Sequence, residues 1–317
     1  MNKYDVIGDV HGYADELEVL LKKLGYQKIS GVYRHPQGRQ VIFIGDLIDK
    51  GPKIRQVLEI AKSMCDEGTA LAVLGNHEYN AICYHTMDRS GLSPLRANEG
   101  NNLTQHQETL LAFKEHESEW KTYLKWFRSL PIYLNLEGLN IVHACWDEKY
   151  IGFLENQQNN YGAHALKDDE FLYASAIKNS KEYNAIENLL KGKEVGLPEG
   201  KCFLDKGNNE RSRIRTQWWL SKPDLIDVKS SMEIALTVPE VSQASLQDVE
   251  FDFGQMKEGF IGLPNTGLTL VGHYTFKNEA APINERIACL DYSGAKALMA
   301  YSWSGEPTLL KENFTMV

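Results

Sequence analysis

Apolar and polar positions change period in the same order three times over the first 80 residues. Tyr4-Asp5-Val6-Ile7 reads as a short strand that stops at Gly8-Asp9-Val10-His11-Gly12. Leu17, Leu20, Leu21 and Leu24 follow at i, i+3, i+4 and i+7, the period of a helix with one buried face, and Gly25 supplies its C-terminal stop. Val41-Ile42-Phe43-Ile44 is then an unbroken apolar run with three β-branched residues, which predicts a buried strand. It stops at Gly45-Asp46-Leu47-Ile48-Asp49-Lys50-Gly51-Pro52. Ile54, Val57, Leu58 and Ala61 mark a second amphipathic helix closed by Gly68, and Ala70 to Leu74 is a third buried strand ending at Gly75-Asn76-His77-Glu78. Three strand–turn–helix units in succession predict parallel strands joined by right-handed crossovers, so the three polar clusters lie side by side at one edge of a sheet.

The pattern then loosens. Tyr33 to Gly38 reads as a polar turn, and Ser90 to Gln107, polar and poorly periodic, as a loop. Trp120, Tyr123, Leu124 and Phe127 mark the buried face of a helix ending near Leu130-Pro131. Ile132 to Leu134 and Leu139 to Val142, joined by Glu137-Gly138, predict a hairpin whose second strand ends at His143-Ala144-Cys145-Trp146. From about 147 to 265 the composition shifts, with a polar tract at Asn156 to Asn160 and a charged one at Lys206 to Arg215. This stretch reads as an insertion containing some helix, packed over the sheet edge of a single domain spanning 1–317. Leu268 to Val271 restores the strand pattern and ends at Gly272-His273. Arg286 to Asp291 and Ala297 to Trp303 read as closing strands, with Ser304-Gly305 as a hairpin turn.

Charge and composition narrow the classes. A net charge of −9 argues against general binding to a nucleic-acid backbone, which needs a basic surface. It does not exclude a phosphate substrate, because bound divalent cations invert the charge locally. Five cysteines are an odd number without a Cys-x-x-Cys pair, which fits buried thiols in a reducing compartment better than a disulfide framework. The N-terminus has no signal-like apolar stretch and no run reaches membrane-spanning length, so a soluble cytoplasmic protein is expected.

Five predicted strands therefore terminate in Asp9 and His11, Asp46 and Asp49, Asn76 and His77, His143, and His273. Carboxylate, imidazole and amide oxygen are ligand types for Mn²⁺, Fe²⁺ or Zn²⁺. They are too many for one ion, and a two-metal site roughly 3.5–4 Å across accounts for them.

In this order and spacing, Gly8-Asp9-Val10-His11-Gly12, Gly45 to Gly51, Gly75-Asn76-His77-Glu78, Val142-His143-Ala144 and Gly272-His273 resemble the signature of the calcineurin-like metallophosphoesterases. Within that superfamily they resemble the phosphoprotein-phosphatase branch, which includes protein serine/threonine phosphatases and bacterial symmetrical diadenosine tetraphosphate hydrolases. The resemblance implies an α/β fold: a metallophosphoesterase-type β-sandwich flanked by helices, with an inserted cap-like segment before the last metal-ligand strand. By motif position, Asp9 and His11 would bind a first metal, Asp46 would bridge, and Asn76, His143 and His273 would bind a second. Two Mn²⁺ ions are expected, with Fe or Zn as alternatives. Hydroxide bridging the metals would attack in line, while His77 acts as general acid, oriented by Asp49. Glu78 would support the loop.

Two departures from the family pattern bear on substrate. Lys50 stands where arginine is usual, offering the phosphate a point charge instead of a planar fork. Cys145 and Trp146 stand where glycine commonly follows His-Ala, which puts an indole near the pocket wall. Asn76 and Lys50 would face the phosphate, and Arg215, following Arg211 and Arg213 and preceding Trp218-Trp219, would complete the clamp. The alternative for that arginine run is a solvated turn leading into a helix. His35, His85, His106, His116 and His164 fall outside the motifs and read as surface or loop residues. The implied function is hydrolysis of a phosphomonoester on a protein or small metabolite. Its alternatives are a symmetrical dinucleoside polyphosphate hydrolase and an inactive scaffold, the last of which predicts lost ligands, whereas all are present.

Overall fold

Strand register decides where the polar clusters come to lie. The computed structural model describes the chain apart from residues 1, 159–160, 206–209, 222, 227, 229, 237–245, 247–248, 250–256, 278 and 294–295. The polar tract ending at Asn160 and the charged tract beginning at Lys206 therefore lie partly outside the described residues. Packing divides the chain into two units, residues 1–190 with 266–317 and residues 191–265.

The first unit begins with β1 (Tyr4–Ile7), α1 (Ala14–Lys23), β2 (Gln27–Ile29), β3 (Val32–Arg34), β4 (Gln40–Phe43), α2 (Ile54–Asp66), β5 (Ala70–Ala72) and α3 (Asn76–Tyr84). Next come α4 (Gly100–Ala112), α5 (Glu117–Ser129), β6 (Tyr133–Leu136), β7 (Leu139–Val142), α6 (Glu148–Glu155), α7 (Asp169–Ser175) and α8 (Lys181–Lys191). The second unit carries β8 (Glu194–Gly196), β9 (Phe203–Leu204), β10 (Glu210–Arg211), β11 (Arg213–Thr216) and β12 (Ala235–Leu236). The chain re-enters the first unit with β13 (Leu268–Val271), β14 (Ile287–Cys289), β15 (Met299–Trp303) and β16 (Phe314–Met316).

Two sheets organise the first unit, in the orders β16-β15-β1-β4-β5 and β14-β13-β7-β6. β1, β4 and β5 run parallel, with Ile7 opposite Phe43 and Phe43 opposite Ala72, so all three chains leave the sheet at one level. β7, β13 and β14 are likewise parallel, with Leu270 opposite Ile141 and Val271 opposite Cys289. Val6, Ile42 and Tyr301 of one sheet share a core with Ile141, Leu270 and Ala288 of the other. That shared core makes the unit a β-sandwich, as the resemblance implied.

Helical periodicity reads correctly where the buried face is apolar. α1 buries Leu17, Leu20 and Leu21, and α2 buries Ile54, Val57, Leu58 and Ala61. After each helix a left-handed glycine, Gly25 or Gly68, closes a paired C-terminal turn: Tyr26 N–H donates to Leu21 O and Thr69 N–H to Met64 O. The loop expected over Ser90 to Gln107 is instead helical from Gly100 onward. Its buried residues are His106 and Thr109, both polar, so no apolar stripe marked it. Tyr33 lies in β3, paired with Lys28, and not in a turn.

Of the stretch predicted as an insertion, the part through α8 packs within the first unit and the remainder forms the second. That second unit has its own core of Val195, Ile214, Leu225, Ile234, Leu246, Val249 and Phe260. Arg213 to Thr216 is the central strand of its β12-β11-β8 sheet, which corrects the reading of a solvated turn. No helix among the described residues is long and apolar enough to cross a membrane.

One buried carboxylate ties the turn after β4 to the start of α3. Glu78, fully buried at the third position of α3, accepts Asp46 N–H at 2.8 Å and Gly75 N–H at 3.0 Å on Oε2, and Leu47 N–H at 2.8 Å on Oε1. The approach needs glycine on both sides: a Cβ on Gly45 (φ +98°) would sit 2.5 Å from the Gly75 backbone. Glu78 therefore supports the loop, as expected. Removing its carboxylate strands three buried N–H groups, each worth about 1–3 kcal/mol. Glu78→Ala should lower the urea midpoint by an amount equivalent to on the order of 3 kcal/mol at unchanged slope, and Glu78→Gln, which keeps one acceptor, should lose less. Equal midpoints for Glu78→Ala and the parent would contradict this role.

Candidate metal centre and acid dyad

The strand ends impose an unusual backbone on the residues that follow them. His11, Asp46, Asp49, Lys50 and His273 all have positive φ, between 46° and 71°. For residues with a Cβ this left-handed region costs free energy and persists only where surrounding contacts enforce it. Here it turns side chains from two sheets toward one point.

That point is Asp46. Its Oδ1 accepts the His77 N–H at 3.0 Å, while Oδ2 lies 3.4 Å from His143 Nε2, 3.6 Å from His11 Nε2 and 3.8 Å from His77 Nε2. Two groups of ligand atoms form around it, His11 with Asp46 and His77, and Asp9 with Asp46 and His143, each within 4.8 Å of one another. Asn76 Oδ1 extends the cluster, 3.1 Å from His143 Nε2 and 2.8 Å from His273 Nδ1. Asp9 accepts the His273 N–H at 3.2 Å, and a Cβ on Gly272 would come 2.1 Å from Asp9 Oδ1.

The imidazoles are set as ligands by their outer nitrogens. His11 Nδ1 donates to Ile48 O at 2.8 Å and His143 Nδ1 to Ile44 O at 2.9 Å, which turns both Nε2 atoms inward. Burial, with His77 nearby, lowers the His11 pKa to about 3, so its inward nitrogen keeps a lone pair. Burial opposes charge on His143, but Asp46 and Asp9 outweigh it and raise it to about 10. Burial, reinforced by Asp291 and Asp46, pushes Asp9 well above the usual carboxylate range. Oxygen and nitrogen donors at these separations fit a borderline-hard divalent ion. The donor set Asp9, His11, Asp46, Asn76, His143 and His273 therefore fits the metals that the motifs imply.

His77, although it lies within the first of these groups, differs from His11 and His143. Its side chain is 15% exposed, against 2% for His11 and 0% for His143. Its Nδ1 lies 2.5 Å from Asp49 Oδ2, a carboxylate where the others have a carbonyl. Burial disfavours its charge, yet Asp46 and Asp49 raise its pKa above the ordinary imidazole value. A partly exposed imidazole that favours its protonated form is suited to giving a proton away.

Three residues at this site escaped the sequence reading. His106, read as a surface residue, is 5% exposed with Nδ1 at 2.9 Å from Asp49 Oδ1. Thr109 Oγ1 donates to the same oxygen at 2.5 Å. Asp291, just beyond β14, is 2% exposed and accepts from Thr275 N and Oγ1 and from Ser293 N. The apolar run before Asp291 is the signal that could have found it, since it repeats the strand-then-carboxylate pattern of Asp9 and Asp46.

The two cations expected on the phosphate are Lys50 and Arg215. Lys50 turns Nζ onto His11 Nε2 at 2.6 Å. Arg215 belongs to the second unit, where its Nε lies 3.5 Å from Glu194 Oε1. Trp146, expected at the pocket wall, is 4% exposed and packs edge-to-face on Tyr133 at 5.6 Å.

A family model described as calcineurin-like phosphoesterase matches residues 3–195. The chain is similar to the bis(5'-nucleosyl)-tetraphosphatase PrpE (asymmetrical) of Oceanobacillus iheyensis, 33% identical over 175 residues that cover 53% of this chain and 66% of that protein. It is also similar to the protein of that name from Bacillus subtilis, 32% identical over 143 residues, 44% of this chain and 57% of that one. Among solved structures it is similar to a cold-active protein-tyrosine phosphatase of a psychrophile, Shewanella sp., at 17% identity and a TM-score of 0.48, covering 100% of this chain and 80% of that one. The chain spans less than two thirds of the length of the curated relatives it matches.

If Asp46 is shared by both ligand groups, Asp46→Asn should lower the affinity for both equivalents of Mn²⁺ together, read by metal analysis after dialysis. Two full equivalents in the variant would sink the shared role. Gly272→Ala, which collides with Asp9, should weaken Mn²⁺ binding with all ligands intact.

Proposed function

We infer the reaction from one premise: the chain belongs to the calcineurin-like phosphoesterase family. It hydrolyses phosphoesters, and Asp9, His11, Asp46, Asn76, His143 and His273 are the residues that would hold two divalent ions, with Asp46 within reach of both groups of donors. When bound, such ions polarise the phosphoryl oxygens and make water nucleophilic near neutral pH. Mn²⁺ is the first candidate, with Fe or Zn accepted by the same donors. The observation that carries the reading is the His77–Asp49 pair beside the Asp46 cluster. Protonated His77 gives its Nε2 proton to the departing oxygen, and Asp49 fixes the ring and favours the imidazolium. Lys50 and Asn76 bring a cation and an amide to the phosphate. For Lys50 this requires release from His11, and Arg215 is the further candidate from the second unit.

The first substrate reading is a phosphomonoester on a protein or small molecule. A second is a dinucleoside tetraphosphate, favoured by the names of the curated relatives. Those names specify asymmetrical cleavage, which yields ATP and AMP from diadenosine tetraphosphate, where symmetrical cleavage yields ADP alone. The five cysteines form no disulfide with one another, which fits work in a reducing cytoplasm.

Chromatography of products from diadenosine tetraphosphate, beside phosphate release from phosphopeptides and aryl phosphates in Mn²⁺, separates these readings. Hydrolysis of none of them would overturn the phosphoesterase assignment. His77→Asn should slow alkyl phosphates by about 10²–10⁴-fold and p-nitrophenyl phosphate far less, because a good leaving group needs little protonation. An equal loss on both would remove His77 from the acid step.

A further inference from the structure

We propose that His106 and Thr109 of α4 are positioning residues for the acid step, holding Asp49 so that Asp49 can hold His77. The proposal rests on the reading above, in which His77 protonates the leaving group.

α4 spans 13 residues, and the two it buries are both polar and both bonded to Asp49. Polar burial stabilises a fold less than apolar burial does, so this face is poorly explained by packing alone. Thr109 grips Asp49 twice: its hydroxyl donates to Oδ1 at 2.5 Å and accepts the Asp49 N–H at 3.1 Å. One hydroxyl thus fixes both the side chain and the left-handed backbone (φ +67°) of Asp49. With Oδ1 taken by Thr109 and His106, Oδ2 is left to His77.

His106 is fixed from behind. Its Nε2 lies 3.3 Å from His85 Nε2, and Trp120 Nε1 lies 3.1 Å from that same His85 nitrogen. An indole N–H only donates, so Trp120 takes the one lone pair of His85 Nε2, and the His106 ring, its Nδ1–H given to Asp49, rests against that nitrogen. Burial, with His106 nearby, lowers the His85 pKa to about 4, consistent with a neutral acceptor. The His106 ring also packs 5.1 Å from Tyr84 and 5.8 Å from Trp120. A line of polar contacts therefore runs from Trp120 through His85, His106 and Asp49 to His77, two of its members being histidines that no motif singled out.

The test uses the Mn²⁺-loaded full chain and the ratio of kcat/KM for an alkyl phosphate to that for p-nitrophenyl phosphate. His106→Ala and Thr109→Val should each lower this ratio about tenfold or more, as a slightly misplaced acid does. His106→Asn and Thr109→Ser, which keep a donor near the same place, should recover most of it. A second readout needs no turnover: in the chain loaded with diamagnetic Zn²⁺ in place of Mn²⁺, the low-field proton NMR signal of the His77 Nδ1–H should move in His106→Ala and in Thr109→Val. Should His106→Ala fail to fold, the near-isosteric Thr109→Val carries both readouts. The proposal is overturned if these variants slow both substrates equally, or leave the His77 signal in place, while His77→Asn still shifts the ratio. If His77→Asn leaves the ratio unshifted, the acid reading itself has failed and the proposal falls with it.

Discussion

The convergence of three imidazoles on one oxygen of Asp46 is the constraint that the rest of the first unit serves. His143, His11 and His77 bring Nε2 within 3.8 Å of Asp46 Oδ2, and they arrive from two sheets and a helix. No single strand can deliver that geometry. It needs parallel strands that end at one level, and a sandwich closed tightly enough for His143 to reach the Ile44 carbonyl at the end of β4. It also needs left-handed turns at His11, Asp46 and His273, each of which costs on the order of 1–3 kcal/mol. Backbone-directed bonds offset part of that cost, above all the three N–H groups gathered by Glu78.

The site has two kinds of support, and they match two kinds of chemistry. Apart from Asn76, the first residue of α3, the proposed ligands follow strand ends, where the sandwich core fixes the backbone that carries them. The proposed acid pair instead depends on helices, His77 on the first turn of α3 and Asp49 against the polar face of α4. Rigid placement suits donors that must share an ion, since ligand geometry is narrow. An acid must meet a leaving group that differs from substrate to substrate, and the partial exposure of His77 leaves it accessible for that.

Legibility in the sequence followed the apolar content of each buried face. β1, β4, β5, β7 and β13 were readable because β-branched and aliphatic runs stop at glycine and polar residues. α1, α2 and α5 were readable from their stripes. α4 was not, because its buried face is His106 and Thr109, and a polar contact carries no period in hydrophobicity. His85 and His106 were misread for the same reason: pairing with Asp49 and Trp120 is a tertiary fact with no local sign. The second unit was opaque because its strands are two to four residues long, too short to set a period, and its core is assembled from widely spaced residues such as Val195, Ile214 and Phe260. Lys50 was placed correctly along the chain, but its direction toward His11 depends on the left-handed backbone at Asp49 and Lys50, which spacing does not reveal.

Charge ties the two halves of the reaction together. The chain is acidic overall, and Asp9, Asp46, Asp49 and Asp291 are all buried in or beside the site. A phosphate entering such a field would be repelled. Within the first unit the compensating positive charge near the cluster comes from Lys50 and the imidazoles, and Lys50 is engaged with a ligand nitrogen. Divalent ions held by these residues would supply the missing positive charge, and they would compete with the proton on His143 and with Lys50 on His11 for the same nitrogens. An ammonium freed from His11 would be available to an anion. Lysine brings to that place a compact ammonium on a flexible four-carbon stem, where arginine would bring a rigid planar fork.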